Sequence, residues 1–192
     1  MLSPDYSTIH DMLDRGGMLR EGHFEFRSGA HATALIDRDL LLADPGTASR
    51  FGYTIAKAFF TDRVDTVATP SIWGAGLAQW VGYFLEPKAN VVDATHVGND
   101  LLIAEKLFPF IENKRVLLVD NLILSGKTMT RFLHMIRELN ASPVGIATLW
   151  SAGQTELGSL PVASLLNAIY PAYPPSDCPA CAEGLAVQSI GY

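Results

Sequence analysis

The sequence predicts an α/β protein built on a mostly parallel sheet with helices on both faces. The first observation is the apolar run at residues 115–120, rich in valine and leucine, which is typical of a strand buried on both faces. The second is an apolar stripe at helical spacing between Met129 and Leu139. The third is another buried run at residues 144–150. Strand, helix and strand in this order predict a βαβ unit with a right-handed crossover.

The chain around this unit carries further predicted elements. A helix is expected to begin at Ser3 and end at Gly16, and residues 24–36 should form a two-stranded hairpin that acts as a small hood over the main sheet. No internal repeat or long linker is visible, so we expect residues 1–192 to form a single domain, with the hood contributed by about residues 1–40 and the C-terminal tail. A further helix should begin at Asp44, and strands are expected at 66–69 and 90–92. A loop at 71–76 should lead into a helix at 77–84, and 93–100 should form a polar and mobile loop. Residues 162–168 are predicted to be a helix or a strand, and residues 101–111 receive no assignment.

Composition and charge narrow the classes of function. The 192 residues are 48% hydrophobic, which indicates a globular chain, and the formal net charge is −6. Because nucleic acids and anionic membranes attract positive surfaces, this charge argues against either as a partner. No apolar run approaches the roughly 20 residues that span a bilayer, and no signal peptide is visible at the N-terminus. We therefore expect a cytoplasmic protein with a small-molecule partner.

The junction between the central strand and its helix is the main candidate binding site. Free backbone N–H groups and the positive end of the helix dipole face one small space there. Gly126 would let the backbone approach a ligand, and neighbouring hydroxyls add donors, so this turn should bind a phosphate. Asp120 and Asn121 would point acceptors into the same space, which suits a sugar phosphate. The alternative is an ordinary helix with Ser125 as its N-cap. The turn comprises Leu124, Ser125, Gly126, Lys127 and Thr128.

A second strand-to-helix junction with glycines follows residues 66–69. It predicts a second possible anion site for the same physical reasons. Trp73 is unusual in such a loop, and either packs against the protein or covers a planar ligand. The residues of this junction are Ser71, Ile72, Trp73 and Gly74.

The residues around the main junction resemble a known family. A P-loop is excluded, because Asn121 stands where that motif needs a glycine. Residues 116–128 instead resemble the signature of type I phosphoribosyltransferases, an apolar strand and acids followed by a short Thr/Ser-Gly-x-Thr/Ser loop. Along the whole chain, residues 23–29, 36–45, 69–77 and the tail at 173–184 are similar to bacterial orotate phosphoribosyltransferases.

This resemblance implies an activity and residue roles. Members of the family transfer ribose 5-phosphate from phosphoribosyl pyrophosphate to a base nitrogen with Mg²⁺ as cofactor, and they are commonly homodimers. Asp120 and Asn121 would then face the ribose hydroxyls, with Asp120 also near the metal. Residues 124–128 would hold the 5-phosphate, and residues 71–74 would contact pyrophosphate.

Three departures from the family pattern separate two hypotheses, an active enzyme and a degenerate relative that binds a nucleotide or sugar phosphate in a regulatory or scaffolding role. Asn121 replaces the second acid; residues 92–100 contain no Lys or Arg; and residues 150–153 offer no arginine for the orotate carboxylate. His96 is the only candidate for a positive group in the first of these loops, unless it is simply a solvated histidine. Arg27 in the hood could still meet an anionic group. The retained turn at 124–128 predicts ligand binding under either hypothesis. The enzyme is favoured because the general scaffold is whole and a partner subunit could supply the missing groups.

The sequence also predicts the effect of two substitutions. Asn121→Asp should strengthen Mg²⁺-dependent binding, because a charge-assisted hydrogen bond is stronger than a neutral one. Gly126→Val should abolish phosphate binding by blocking close approach of the backbone.

The two cysteines, Cys178 and Cys181, stand in a Cys-Pro-Ala-Cys segment. A complete zinc site needs four ligands, and the five histidines lie far away in sequence. Structural thiols, a metal shared across a dimer and a redox pair remain open interpretations.

Overall fold

The computed structural model describes residues 6–98, 100–153, 156–167 and 170–191. The predicted helix start at Ser3 lies outside these ranges. None of the helices in the described part of the chain is long and apolar enough to cross a membrane. The helices are α1 (Tyr6–Arg15), α2 (Arg38–Ala43), α3 (Pro45–Ala58), α4 (Ile72–Phe84), α5 (Lys127–Glu138) and α6 (Pro179–Ala182), and short 3-10 helices span Glu105–Phe110 and Pro175–Asp177.

The strands of the described ranges form three sheets. The largest has the order β4-β3-β7-β8-β10-β9, a smaller one β11-β2-β1-β12, and β5 and β6 form a hairpin. The strands are β1 (Leu19–Glu25), β2 (His31–Ile36), β3 (Thr66–Thr69), β4 (Asn90–Asp93), β5 (Thr95–Val97), β6 (Asp100–Leu102), β7 (Arg115–Ile123), β8 (Ser142–Ser151), β9 (Glu156–Leu157), β10 (Leu160–Asn167), β11 (Ala172–Tyr173) and β12 (Gln188–Ser189).

The main sheet confirms the predicted α/β architecture. Its pairs β3/β4, β3/β7, β7/β8 and β8/β10 are parallel, and only β9 runs antiparallel to β10. Successive side chains of a strand point to opposite faces. On β7 this places Leu117 and Val119 in a core with α3, α4 and the hood, and Val116 and Leu118 in a core with α5. The strand is therefore apolar throughout because helices cover both faces.

The smaller sheet, which we call the hood sheet, combines the two ends of the chain. The hairpin of β1 and β2 was predicted, with a turn at residues 27–30. The tail supplies both outer strands, β11 beside β2 and β12 beside β1. Phe24 and Phe26 are buried on the inner side in one core with Trp150 of β8. The tail thus pairs with the hood on both edges instead of only wrapping the surface.

Several predicted boundaries are wrong, each for a local reason. Strand β7 continues three residues beyond Asp120, because Leu122 and Ile123 pair with the end of β8. Helix α4 begins at Ile72 and not at residue 77. Its early glycine, Gly74, packs against β3, where an added Cβ would overlap the Thr69 side chain. The expected loop at 93–100 contains the β5–β6 hairpin instead. Of the two alternatives for residues 162–168, the strand is confirmed over residues 162–167.

Candidate active site

A cavity of about 690 Å³ opens where the carboxyl ends of β3, β7 and β8 face the hood sheet. In open parallel sheets this edge is the usual location of a ligand site. Residues from both junctions predicted above line the cavity, together with residues from the hood and one from the tail. The lining residues are Arg27, Ser28, Ile36, Arg38, Pro70, Ser71, Trp73, His96, Gly98, Asp120, Asn121, Leu122, Ile123, Leu124, Ser125, Gly126, Lys127, Thr128, Met129, Arg131, Leu149, Trp150 and Gly191.

The turn at residues 124–128 presents the uncapped N-terminus of α5 to this cavity. The N-cap is Gly126, which has no side chain to accept from the first amides. The Ser125 hydroxyl lies 3.5 Å from the Lys127 nitrogen, at the limit of a hydrogen bond. The first turn of α5 contains no acidic residue. The interpretation of Ser125 as a conventional N-cap is therefore not supported, and the free amides of this 12-residue helix can accept an anion.

Glycine is needed at position 126 for a reason that the sequence did not reveal. Its φ is +74°, in the left-handed region that side chains disfavour. A Cβ there would lie 2.7 Å from Cδ2 of Leu157. That direction leads into the protein interior. The glycine is therefore needed for the shape of the turn and for its packing on Leu157. The sequence had instead suggested that it clears space for a ligand.

Asp120 is a partly buried carboxylate near the end of β7 that lines the cavity. Burial raises its pKa from 3.8 to about 6, although the backbone amide of Asn121 and the charge of Arg38 act to lower it. The amide nitrogen of Asn121 donates to Oδ1 of Asp120 over 2.8 Å. This group can take up or release a proton or cation near neutral pH.

Asn121 connects the two junctions. Its side-chain nitrogen donates to the backbone carbonyl of Trp73 over 2.7 Å. Its side-chain oxygen is buried and has no hydrogen-bond partner among the residues that the structure describes. Because a buried acceptor without a donor costs roughly 1–3 kcal/mol, this oxygen is a ready partner for a donor or a cation.

The second junction contributes only part of its predicted residues. Ser71 is the N-cap of α4 and makes no side-chain cap bond, and both Ser71 and Trp73 line the cavity. Ile72 and Gly74 are not among the lining residues: the Ile72 side chain is 64% exposed, and Gly74 packs on Thr69. The Trp73 ring is more than half exposed and stacks on the guanidinium of Arg38, which lies 4.2 Å from the ring centroid. Trp73 therefore packs against Arg38 at the edge of the cavity, and its role in covering a planar ligand stays a prediction.

Two arginines at the cavity escaped the sequence analysis. Arg38 begins α2, and Arg131 lies four residues after Lys127 on α5, so that both line the same cavity as the turn at residues 124–128. With Arg27 and Lys127 they give four cationic side chains against the single carboxylate of Asp120, a formal charge of +3 when His96 is neutral. The whole chain carries −6. The positive charge is therefore concentrated where a polyanionic ligand would bind.

Comparison with known proteins gives this geometry a family. The profile described as "Phosphoribosyl transferase domain" matches residues 61–163, which is more than half of the chain. The chain belongs to the phosphoribosyltransferase family. The match covers both junctions, the strands β3, β7 and β8, and helix α5.

Full-length relatives place this phosphoribosyltransferase near one branch of the family. It is 26% identical over 185 residues to the orotate phosphoribosyltransferase of Thermotoga maritima, covering 95% of this chain and 97% of that protein. It is 28% identical over 184 residues to the orotate phosphoribosyltransferase of Thermus thermophilus, covering 95% and 99%. Both relatives are transferases by name, in agreement with the interpretation of the chain as an enzyme.

A solved structure shows the same fold. The orotate phosphoribosyltransferase of Mycobacterium tuberculosis, in complex with 5-phospho-α-D-ribosyl 1-diphosphate, superposes on this phosphoribosyltransferase with a TM-score of 0.59. The identity is 14%, and the alignment covers 87% of this chain and 91% of that one. The predicted type I phosphoribosyltransferase fold is thereby confirmed.

The remaining predicted residues reach the cavity from its rim. Arg27 follows β1 in the hood and His96 lies in the short β5, and both line the cavity of this phosphoribosyltransferase with exposed side chains. His96 therefore belongs to a hairpin at the entrance. Its neighbour Gly98, which turns that hairpin with φ +61°, also lines the cavity.

The floor of the cavity suits Mg²⁺, the cofactor that the family resemblance implies. Magnesium is usually held by one or two protein oxygens and by phosphates of the substrate. The carboxylate of Asp120 and the unpartnered side-chain oxygen of Asn121 belong to adjacent residues on β7 and line the same cavity. Their oxygen chemistry fits such an ion.

Proposed function

We propose that this phosphoribosyltransferase transfers ribose 5-phosphate from phosphoribosyl pyrophosphate to a nucleobase, and that the base is orotate. The observation that carries the proposal is the uncapped N-terminus of α5, which opens beside Asp120 in a cavity with four cationic side chains. Phosphoribosyl pyrophosphate carries a monoester at one end and a pyrophosphate at the other. A site for this substrate needs three features in one cavity: backbone amides that bind the monoester, acceptors for hydrogen bonds from the ribose hydroxyls, and positive charge for the pyrophosphate.

The 5-phosphate is assigned to residues 124–128. The amides of Lys127, Thr128 and Met129 belong to the first turn of α5, and Ser125 and Thr128 add hydroxyl donors. The helix dipole favours a dianion there. The ribose hydroxyls are assigned to Asp120 and Asn121, which lie on the same strand before the turn.

The pyrophosphate is assigned to the start of α4 and the arginine beside it. Ser71 offers its hydroxyl and the uncapped first turn of α4. The guanidinium of Arg38 is oriented by stacking on Trp73 and supplies a planar set of donors that matches phosphate. Arg131 and His96 are assigned to the same anionic group from the opposite wall and the rim.

The base is assigned to the space between the main sheet and the hood sheet. Ile36, Leu149 and Trp150 provide apolar walls, and Arg27 and Ser28 provide polar groups above them. Orotate is planar and anionic, so an arginine at the mouth of an apolar slot is suited to its carboxylate. This arginine comes from the hood, which compensates for the lack of one at residues 150–153.

The reaction then depends on positioning and on charge. The bond between the ribose C1 and the pyrophosphate oxygen breaks, the electron pair leaves with pyrophosphate, and C1 bonds to the base nitrogen, whose proton is released to solvent. Arg38 and the helix termini stabilise the charge that builds on the leaving group. The two junctions hold donor and acceptor in one cavity, which lowers the entropic part of the barrier. When bound, Mg²⁺ would neutralise part of the pyrophosphate charge from the side of Asp120 and Asn121.

The experiment is to incubate the full chain with phosphoribosyl pyrophosphate and Mg²⁺, add each of a panel of nucleobases including orotate, and follow release of pyrophosphate. Orotate-dependent release, abolished by Lys127→Gln combined with Thr128→Val, supports the proposal. Release with another base only would contradict the choice of orotate. Binding by calorimetry without release with any base would contradict the transfer reaction and leave a binding protein. The single domain, the homodimer and the cytoplasmic location stay predictions, of which the homodimer can be checked by sedimentation in the same buffer.

A further inference from the structure

A second cluster of reactive side chains lies in the hood sheet, outside the cavity. It consists of His23, His31, Cys178 and Cys181, and one ligand atom from each lies within 4.8 Å of every other. His23 is 4% exposed, His31 6% and Cys178 2%, while Cys181 is exposed. His23 and Cys178 are 155 residues apart in sequence. This separation hides the cluster in the sequence, and the fold brings the four side chains together.

The secondary structure explains how four distant residues converge. On the hairpin, His31 is paired with Glu25, and Phe24 is paired with Ala32. Because side chains alternate, His23 and His31 share the face opposite to Phe24, which points into the core. Cys178 is the N-cap of α6 and Cys181 lies within it. The tail carries this short helix across the outer face of the hairpin, between β11 and β12.

The distances within the cluster resemble the edges of a metal tetrahedron. Nε2 of His23 lies 2.9 Å from Nδ1 of His31, and 3.5 Å from the sulfur of each cysteine. The Cys181 sulfur lies 3.2 Å from Nδ1 of His31. With bonds of about 2.0 Å to nitrogen and about 2.3 Å to sulfur, tetrahedral zinc has N···N edges of about 3.3 Å and N···S edges of about 3.5 Å. An ion therefore fits after the two rings separate by a few tenths of an ångström.

The ring orientation of His23 is the one that a metal ligand requires. Its Nδ1 lies 2.8 Å from the carbonyl oxygen of Leu185. Since a carbonyl can only accept, the proton of the ring is on Nδ1, and Nε2 offers its lone pair to the cluster. A backbone carbonyl that fixes the tautomer in this way is the usual outer partner of a metal-binding histidine.

The same lone pair is surrounded by more groups than hydrogen bonding can use. A neutral imidazole nitrogen accepts one hydrogen bond, yet the other ring and both sulfurs approach Nε2 of His23 within 3.5 Å. A cation at the centre would let all four atoms direct their lone pairs inward. Two imidazoles and two thiols are donors that zinc prefers, and a closed set of four is typical of a structural site.

We propose that His23, His31, Cys178 and Cys181 bind one zinc ion that fastens the C-terminal tail to the hood sheet. The ion joins the β1–β2 hairpin to the tail segment between β11 and β12. Beyond β12 the tail reaches Gly191, which lines the cavity. The ion thus holds in place a wall of the cavity without contributing a ligand to it. None of its four ligands lines the cavity, so zinc binding and the proposed reaction can be tested separately.

The test uses the untagged full chain, loaded with zinc, dialysed and analysed by mass spectrometry of the metal. About one zinc per chain is expected. Cys178→Ser and His31→Ala should each bind less than about a tenth of this amount in the same treatment. His134→Ala, which changes an exposed histidine of α5, is the matched control and should keep its zinc. Wild-type protein without zinc, or variants that retain it, would overturn the proposal.

Cobalt and thiol chemistry keep the test decisive if a variant fails to fold. Cobalt(II) added to chelator-treated wild-type protein should give the visible bands of a tetrahedral ion and a thiolate charge-transfer band in the near ultraviolet. Both thiols should resist a thiol reagent until a chelator is added, and then react without reductant. Reaction only after reductant would show a Cys178–Cys181 disulfide and overturn the zinc site. Chelation should also expose the tail to proteases, while pyrophosphate release, measured separately, reports on the reaction alone.

Discussion

The side-chain amide of Asn121 donates a 2.7 Å hydrogen bond to the backbone carbonyl of Trp73. This bond connects β7, just before the turn at residues 124–128, to the first turn of α4. An amide can donate here, whereas an ionised carboxylate only accepts. The neutral residue that departs from the family signature is therefore the one that joins the two strand-to-helix junctions.

We predict that Asn121→Asp lowers both the free energy of unfolding and the affinity for ligand. The sequence alone predicted stronger Mg²⁺-dependent binding. A carboxylate would lose the bond to Trp73 and face its carbonyl oxygen in a buried position. Loss of a buried hydrogen bond with an unpaired acceptor left behind costs roughly 1–3 kcal/mol. Chemical unfolding at pH 7 should show this loss, and calorimetry should show weaker binding of phosphoribosyl pyrophosphate with Mg²⁺.

A matched control for this substitution is Asn113→Asp. Asn113 follows the 3-10 helix in an exposed turn, so the same change of charge should leave binding unaltered. Tighter Mg²⁺-dependent binding by Asn121→Asp at unchanged stability would show that the side chain serves the ligand and not Trp73.

Asp120 should make stability depend on pH with a definite sign. Its pKa in the folded protein is raised from 3.8 to about 6, so the folded state holds the proton more tightly than the unfolded chain. The stabilisation is complete below the unfolded pKa and is lost as pH rises through about 6. From the size of this shift, the loss is at most about 3 kcal/mol.

Asp120→Asn isolates this effect, because the other titrating groups are common to both proteins. The free energy of unfolding of Asp120→Asn minus that of wild type should increase from about pH 3.8 to about pH 6, with its midpoint halfway between these two pKa values, and then level off. Urea unfolding of the ligand-free chains at closely spaced pH values measures the difference. A difference that is constant with pH would show that Asp120 titrates as it does in the unfolded chain.

The parts of the fold that the sequence predicted are those set by local pattern. The apolar stripe of α5 is buried as expected at Met129, Phe132, Leu133 and Ile136, and Asn140 ends the helix with φ +56°. The extension of β7 through Asn121 was missed because a polar residue after a strand usually indicates a loop. Its hydrogen bond to Trp73 is known only from the structure. Arg38 was missed for the same reason, since its place depends on how α2 packs and not on any motif.

The candidate site was predicted to a similar extent. The turn at 124–128 follows from a strand, a glycine and a helix that are adjacent in sequence. The four proposed zinc ligands could not be predicted in this way, because His23 and His31 come from a hairpin and the two cysteines come from the tail. Only the pairing of the tail with both edges of the hood sheet brings these four side chains together.

Gly126→Ala should reduce both stability and phosphate affinity, because the turn cannot keep its shape. The methyl group would enter a left-handed conformation and meet Leu157 at 2.7 Å. Such strain costs of order 1–3 kcal/mol. Thermal unfolding and calorimetry with ribose 5-phosphate measure the two effects.

Leu157→Ala separates the contact from the backbone strain. The double variant Gly126→Ala/Leu157→Ala has room for the methyl group but keeps the unfavourable φ. Adding Gly126→Ala to Leu157→Ala should therefore cost less stability than adding it to wild type, but it should still cost some. If Gly126→Ala lost phosphate affinity with no loss of stability, the glycine would be clearing space for the ligand after all. The sequence-based expectation for Gly126→Val would then be the right one.

Arg38→Gln should weaken binding of phosphoribosyl pyrophosphate by roughly ten- to a hundredfold. Hydrogen bonds to a charged group are worth about 1.5–3 kcal/mol, and about 1.4 kcal/mol corresponds to a factor of ten in affinity. Arg38→Lys should recover only part of the affinity, because lysine keeps the charge but not the planar group that stacks on Trp73. Arg50→Gln, in an exposed part of α3, is the control.

The same variant carries a second readout that needs no ligand. The charge of Arg38 lowers the pKa of Asp120, so Arg38→Gln should raise that pKa further and move the midpoint of the pH-dependent stability to higher pH. Unfolding of Arg38→Gln and of Arg38→Gln/Asp120→Asn across the same pH range measures this shift. An unchanged midpoint together with unchanged affinity would place the guanidinium outside the electrostatic reach of the site, and the pyrophosphate would then have to be held by Ser71, Arg131 and His96 without it.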